Sequence, residues 1–143
     1  MRKVLVLNGP NLNLLGSREP EVYGSQTLDD IAGELHDRAG ELELEVDVRQ
    51  SNHEGHLIDW LHEAQANGVH AVVLNAGGFT HTSVALRDAV AAIATPVIEV
   101  HLSNPQARES FRRRSLISGV CTGSISGFGG LSYRLALDAA ARL

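Results

Sequence analysis

Hydrophobic and polar residues follow two alternating patterns along the chain. Short apolar runs rich in Val, Leu and Ile are typical of buried β-strands, whereas apolar residues spaced three and four apart are typical of amphipathic helices. The first pattern predicts strands over residues 3–7, 42–48, 71–74, 96–100 and 119–126. The second predicts helices over residues 28–39, 84–93 and 131–142, and one from residue 57 that ends near Asn67 and Gly68; Gly40 is the predicted C-cap of the first.

The alternation of strands and helices predicts the topology of the sheet. Parallel neighbouring strands need a long crossover connection, and such sheets carry helices on both faces. The run LELEVDV at residues 42–48 alternates apolar and charged side chains, which suits a strand near the sheet edge. We therefore expect one domain over residues 1–143 in the α/β class, a flavodoxin-like, doubly wound, five-stranded parallel sheet in a three-layer α/β/α arrangement.

Composition narrows the classes of function. The 12 basic and 17 acidic residues give a formal charge of -5, which argues against a nucleic-acid partner. Cys121 is the single cysteine, so neither an internal disulfide nor a multi-thiolate metal site is expected. No apolar run approaches the ~20 residues of a membrane helix, and the start of the chain lacks a signal-peptide pattern, so we expect a cytoplasmic protein without a membrane partner. Lys3, the single lysine, opens the first strand, which argues against imine chemistry.

The connection after the first strand is unusually long. It runs over residues 8–24, whereas loops between a strand and a helix usually have two to six residues, and long loops in compact domains are usually functional. Arg18 and Tyr23 lie on this loop, and a guanidinium beside a phenol stabilises the phenolate, so Tyr23 is a candidate base. The alternative is that Tyr23 only packs its ring while Arg18 lies in solvent; the loop's length and position favour the functional interpretation.

Polar residues also follow the third and fourth strands, at 75–81 and 101–105, and the carboxyl ends of parallel strands are where ligands bind. Glu99 and His101 are two residues apart on one strand, so their side chains share a face. A carboxylate beside an imidazole orients the ring and favours its charged form, which suits a proton donor. A purely structural Glu–His pair is the alternative, and the residues alone leave it open.

An anion site is a weaker hypothesis. Asn104 and Pro105 suit the N-cap and first position of a helix, whose free N–H groups could hold a carboxylate or phosphate. Residues 112–114 are three arginines, of which we expect at most one to point inward. The HEGH run at 53–56 lacks zinc-protease spacing, and GFGG at 127–130 follows the last strand rather than the first, so neither indicates a metal or dinucleotide.

Several segments resemble the type II 3-dehydroquinate dehydratases. The segments are NGPNLNLLGSREPEVYG (8–24), QSNHEGHLIDWLHEA (50–64), NAGGFTHTSVALRDA (75–89) and EVHLSN (99–104), extended by FRRRSLIS (111–118) and GFG (127–129). Together they cover essentially the whole chain, and the loop motif with the THTS and EVHLSN segments is specific. The resemblance implies dehydration of 3-dehydroquinate to 3-dehydroshikimate in the shikimate pathway, without metal or cofactor.

The resemblance also implies roles for individual residues. Tyr23 would be the general base that removes the C2 proton, and Arg18 would maintain its phenolate. Asn11 would help to stabilise the resulting enolate, through a held water. His101, oriented by Glu99, would protonate the departing C1 hydroxyl. Because the family's bases and acids are side chains of the loop and the fourth strand, this assignment agrees with the chemistry read from the residues.

The groups implied to hold the substrate's ring hydroxyls and carboxylate are Asn75, His81, Arg112 and the backbone of Leu102 and Ser103. Asp88 matches a position that reaches a neighbouring subunit's site, which implies a homo-oligomer, usually a dodecamer built from trimers. Phe79 departs from the family pattern, in which tyrosine is common at that place. A binding module for a carboxylated or phosphorylated metabolite is the competing hypothesis, and it differs in tolerating the loss of the Tyr23 hydroxyl.

Overall fold

The computed structural model describes residues 1–17 and 19–143; Arg18 and the side chain of Tyr23 lie outside it. Five strands form one parallel sheet in the order β2-β1-β3-β4-β5. The strands are β1 (Arg2–Asn8), β2 (Leu44–Gln50), β3 (Ala71–Asn75), β4 (Val97–His101) and β5 (Gly123–Ser126). The helices are α1 (Pro20–Tyr23), α2 (Leu28–Glu41), α3 (Glu54–Ala66), α4 (Val84–Ala92) and α5 (Leu131–Ala140). The predicted flavodoxin-like fold is confirmed, with β2 at an edge.

The core lies on both faces of the sheet because successive side chains of a strand point to opposite sides. Val4 and Val6 of β1 pack with residues of α2 and α5, whereas Leu5 and Leu7 pack with residues of α3 and α4. All four β1 side chains are almost completely buried, which explains the continuous apolar run of this central strand. The three-layer arrangement therefore follows from the sequence pattern.

Three local predictions were wrong. Gly40 lies inside α2, which continues to Glu41, and the left-handed conformation after the helix belongs to Glu43, with φ 57°. The second strand consequently begins two residues late, at Leu44. The fifth strand is shorter than predicted because residues 118–120 form a 3-10 turn.

The prediction of a helix that begins at Pro105 was also wrong. Asn104 does act as an N-cap, its Oδ1 accepting from the N–H of Gln106 at 3.2 Å, but only a three-residue 3-10 turn follows, Pro105–Ala107. An aligned helix of several turns is what gives an N-terminus its positive end, so this turn is a poor anion site. Among the described residues, no helix is both long and apolar enough to cross a membrane.

The strand ends are held close together by a glycine. Asn8 and Asn75 are register partners at the ends of β1 and β3, and the Gly9 N–H donates to the Asn75 carbonyl at 2.8 Å. A Cβ on Gly9 would lie 2.5 Å from the carbonyl oxygen of Ala76, closer than real contacts allow. Only glycine therefore permits the two loops to approach each other here.

Candidate active site

A cavity of about 160 Å³ opens at the carboxyl ends of β1, β3 and β4. Seven of the predicted site residues line it: Asn11, Asn75, His81, His101, Leu102, Ser103 and Arg112. A second cavity, of about 380 Å³, shares His81, His101 and Arg112 with it and includes Glu99. The fold thus brings the residues after three separate strands to one place, as the strand-end hypothesis required.

Glu99 and His101 form a hydrogen-bonded pair at the end of β4. His101 Nε2 lies 2.6 Å from Glu99 Oε2, and the Glu99 side chain is 2% exposed. An ionised carboxylate only accepts hydrogen bonds, so Nε2 must be the donor. The second ring nitrogen, Nδ1, is then left for a ligand in the adjoining cavities.

Two serines hold the far side of the Glu99 carboxylate. Ser115 Oγ donates to Oε2 at 2.9 Å, and Ser118 Oγ donates to Oε1. Burial by itself raises the pKa of Glu99, but the hydrogen bonds from His101, Ser118 and Ser115, with the positive charge of His101, outweigh it and leave the pKa below its usual value. The sequence analysis missed both serines, since nothing in a pair of serines three residues apart indicates a carboxylate on another strand.

Asn75 is fixed from two directions at the end of β3. Its Nδ2 donates to the hydroxyl of Tyr133 at 2.8 Å, and its Oδ1 accepts from the Gly77 N–H at 3.2 Å. Burial raises the pKa of Tyr133 well above its ordinary range, with the Asn75 hydrogen bond opposing only in part. Tyr133 therefore stays protonated at physiological pH and is unsuited to act as a base.

The start of the long loop is braced from β2. Asn11 has a left-handed φ of 69°, and its N–H donates to Asn52 Oδ1 at 3.0 Å. Gln50 Nε2 reaches both the Gly9 carbonyl and Asn52 Oδ1, each at 3.1 Å. The turn that places Asn11 beside the cavity therefore depends on side chains at and just after the end of β2.

Arginines and a histidine form the remaining wall. His81 Nδ1 lies 2.8 Å from the Arg114 carbonyl, so it donates and leaves Nε2 as an acceptor. Arg112 is the member of the 112–114 run that lines the smaller cavity, while Arg113 and Arg114 line only the larger one. Arg108, which the sequence analysis did not single out, also lines the smaller cavity, with a side chain 15% exposed.

Three predicted residues need separate mention. Arg18 lies outside the described residues. The backbone of Tyr23 ends α1, whose neighbours Glu21, Val22 and Gly24 line an open cavity together with Ser103 and Arg108. Asp88 is exposed on α4 and lines neither of the two cavities that contain His101, so any contact it makes with a site would be in another copy of the chain. Within the described residues, no group of three or more His, Cys, Asp and Glu side chains is placed to hold a metal ion.

Comparison with known proteins identifies a family with this fold. A family model described as dehydroquinase class II matches residues 2–141. The 3-dehydroquinate dehydratase of Phenylobacterium zucineum is 56% identical over 142 residues, which are 99% of this chain and 97% of that protein. The 3-dehydroquinate dehydratase 2 of Pseudomonas aeruginosa is 57% identical over 137 residues, 96% of this chain and 92% of that protein.

A solved structure leads to the same family. The crystal structure of the type II dehydroquinase from Butyrivibrio crossotus has a TM-score of 0.96 and 43% identity, and the match covers 97% of each chain. Such a likeness extends over the entire fold, including the strand ends that carry the cavity.

Proposed function

This chain belongs to the class II dehydroquinase family of 3-dehydroquinate dehydratases, and we propose that it eliminates water from 3-dehydroquinate through an enolate, with Tyr23 as the base and His101 as the acid. The product is 3-dehydroshikimate, which places the reaction in the shikimate pathway. The observation that carries this assignment is the buried Glu99 carboxylate hydrogen-bonded to His101 at the wall of the cavity.

The proton transfers balance without an outside reactant. The Tyr23 phenolate takes the C2 proton, and the electron pair of that C–H bond delocalises onto the ketone oxygen, which gives the enolate. Return of the electrons re-forms the ketone, forms the C1–C2 double bond and breaks the C1–O bond. The departing oxygen takes a proton from His101 and leaves as water. Base and acid act on opposite faces of the ring, so the elimination is anti, and no Schiff base forms.

Tyr23 is proposed as the base because the other of the chain's two tyrosines, Tyr133, is excluded. Burial and the raised pKa keep Tyr133 protonated, which removes it from consideration. Tyr23 ends a short helix whose neighbouring residues border the same wall as Ser103 and Arg108. Arg18 is proposed to keep the Tyr23 hydroxyl ionised, because a nearby guanidinium favours a phenolate.

His101 is proposed as the acid because a buried carboxylate holds its ring at the wall of the cavity. Glu99 is buried and ionised, and it accepts the Nε2 hydrogen at 2.6 Å. A buried carboxylate stabilises the imidazolium before proton transfer and orients the ring, as general acid catalysis requires. The free Nδ1 then faces the departing hydroxyl.

The remaining groups are proposed to hold the substrate. Asn11 helps to stabilise the enolate through a water. Asn75, His81 and Arg112, with the backbone of Leu102 and Ser103, hold the ring hydroxyls and the carboxylate, since the three side chains have donor or acceptor capacity left over in the cavity. Base, acid and enolate-stabilising groups are then all side chains, and we propose that no metal or organic cofactor takes part.

We further propose that the chain acts as a single catalytic domain in a cytoplasmic homo-oligomer, a dodecamer built from trimers, without nucleic-acid or membrane partners. Asp88 is exposed on α4, as a residue that reaches a neighbouring subunit must be before assembly. Light scattering measures the oligomer's mass directly. A stable, fully active monomer would contradict both the assembly and the role of Asp88.

The reaction is tested by following the absorbance of the conjugated enone after addition of 3-dehydroquinate. Wild-type enzyme should produce it, and Tyr23→Phe should lower kcat by about 10³-fold with little change in substrate affinity. Leu135→Ala, a change at an exposed residue of α5 that lines none of the cavities described above, serves as the control and should retain activity. Absence of enone with wild-type protein at micromolar concentration would overturn the enzymatic assignment in favour of a binding module. A borohydride-trapped adduct on Lys3 would instead overturn the enolate mechanism.

A further inference from the structure

Tyr133 has no role in the proposed reaction, yet it lies in a chain of buried hydrogen bonds that includes Asn75 at the cavity wall. Its side chain, on α5, is completely buried. Its hydroxyl donates to Asn8 Oδ1 at 2.6 Å and accepts from Asn75 Nδ2 at 2.8 Å. Asn8 and Asn75 are register partners at the ends of adjacent strands, and the hydroxyl links their two amides.

The direction of every hydrogen bond in this chain follows from its far end. Asn8 Nδ2 donates to the backbone carbonyl of Arg49 on β2, at 3.0 Å, and a carbonyl can only accept. Asn8 must therefore turn its Oδ1 toward Tyr133, which commits the single hydroxyl proton of Tyr133 to Asn8. The Tyr133 oxygen is then only an acceptor for Asn75, so Asn75 must present its Nδ2 rather than its Oδ1.

We propose that Tyr133 is a positioning residue that sets the amide orientation of Asn75 and so decides which hydrogen-bonding groups this side chain offers to the substrate. An amide has two donor hydrogens and two acceptor lone pairs. Tyr133 takes one hydrogen and the Gly77 N–H takes one lone pair, at 3.2 Å. One hydrogen and one lone pair remain for a hydroxyl of the ligand.

The Gly77 contact does not make Tyr133 redundant. It is the longer of the two bonds, and it comes from the loop that follows β3, whereas the Tyr133 hydroxyl is anchored by a helix and by two central strands. Asn75 is 3% exposed, so water cannot easily replace a lost partner and the loss is costly. Without the hydroxyl, both Asn8 Oδ1 and Asn75 Nδ2 lose a buried partner.

Kinetics test the positioning role, which rests on the proposed function of Asn75. Tyr133→Phe should raise KM about fivefold and change kcat less than about twofold, because the lost interaction is made in both the ground state and the transition state. In an Asn75→Ala background, the same change should alter kcat/KM by less than about twofold, because there is no amide left to orient. Leu137→Val, a core change on the same helix, controls for stability and should lower Tm without raising KM.

A full additional loss of kcat/KM from Tyr133→Phe in the Asn75→Ala background would overturn the positioning role, as would an unchanged KM in the single variant. Neutron diffraction from wild-type crystals in D₂O provides a readout that needs neither activity nor a folded variant. Deuterium on the Tyr133 hydroxyl should point to Asn8, with two deuterium atoms on the Asn75 atom that faces Tyr133. Deuterium pointing to Asn75 would overturn the inference. Absence of enone with wild type would instead reject the proposed function, and the proton positions would still decide the orientation.

Discussion

Replacement of the Glu99 carboxylate by its isosteric amide, Glu99→Gln, changes charge and hydrogen-bonding capacity at one buried position. Oε2 accepts from His101 Nε2 at 2.6 Å and from Ser115 Oγ at 2.9 Å, while Oε1 accepts from Ser118. An amide has a single oxygen, so its NH₂ group must face at least one of these donors. The serine hydroxyls can rotate and accept from the NH₂ group, whereas a protonated imidazole cannot.

The magnitude follows from the bond to His101. A hydrogen bond to a charged group contributes about 1.5–3 kcal/mol, and Glu99 is 2% exposed, so solvent screening of this pair is weak. Glutamine can still turn its oxygen toward His101 but carries no negative charge, so about 1–1.5 kcal/mol of this contribution to holding the charged ring is lost, and kcat falls by about 5- to 10-fold. We expect KM to change little, because Glu99 acts behind the ring rather than on the substrate.

The same substitution changes the pH dependence of stability. The pKa of Glu99 lies below its ordinary value of 4.5 in the folded chain, whereas the unfolded carboxyl titrates near that value. Its contribution to the free energy of unfolding is therefore fully present above about pH 4.5 and is lost as the pH falls through the lower, folded pKa. Glutamine does not titrate, so the stability difference between wild type and Glu99→Gln should be constant near neutral pH and should shrink in acid.

Steady-state kinetics at pH 7 and thermal melts from pH 3 to pH 7 measure the two effects. Glu63→Gln removes a carboxylate that pairs with Arg49, away from the two cavities of the site, and should leave kcat unchanged. The reasoning fails if Glu99→Gln retains wild-type kcat. It fails equally if the stability difference is the same at pH 3 as at pH 7.

Three further predictions concern other parts of the molecule. Gly9→Ala should lower the free energy of unfolding by about 1–3 kcal/mol in urea titrations, because its Cβ would lie 2.5 Å from a backbone carbonyl oxygen. The control is Gly55→Ala, whose Cβ would have no neighbour within 4 Å and which should not destabilise the protein. Arg112→Gln should raise KM about tenfold, the effect of losing one charge-assisted hydrogen bond to the substrate, and Arg113→Gln, outside the smaller cavity, should raise it less than about twofold; equal effects would contradict the assignment of Arg112. Burial, and to a smaller extent the charge of Glu99, raises the pKa of Cys121 to about 12. Iodoacetamide at pH 8 should therefore label the native thiol about 10³-fold more slowly than the urea-unfolded one. Comparable labelling rates would refute this.

Most of the fold could be predicted from the sequence because its pattern is local. The apolar run of β1 and the helical spacing of α2 each depend on residues within one element, and the alternation of the elements limits the topology. Errors arose where local preference was overridden. Glycine at position 40 suited a C-cap, yet the helix continued, and Glu43 took the left-handed conformation instead. The turn at Pro105 has the expected cap but no helix after it.

The sequence by itself determined that a carboxylate and an imidazole share one face at the end of β4, because alternation along a strand has a period of two residues. It also showed that a tyrosine, and not the single lysine, lies on the loop after β1. The roles of Arg18 and Tyr23 stay predictions.

Only the tertiary structure decided which side chains hydrogen-bond to the residues at the strand ends. Ser115 and Ser118 reach Glu99 from a later connection, and Tyr133 reaches Asn75 from the last helix, 58 residues away. No periodicity relates such residues, because their contact depends on how loops and helices close over the sheet. The direction of a hydrogen bond is settled later still, by donors and acceptors that meet only once the chain has folded.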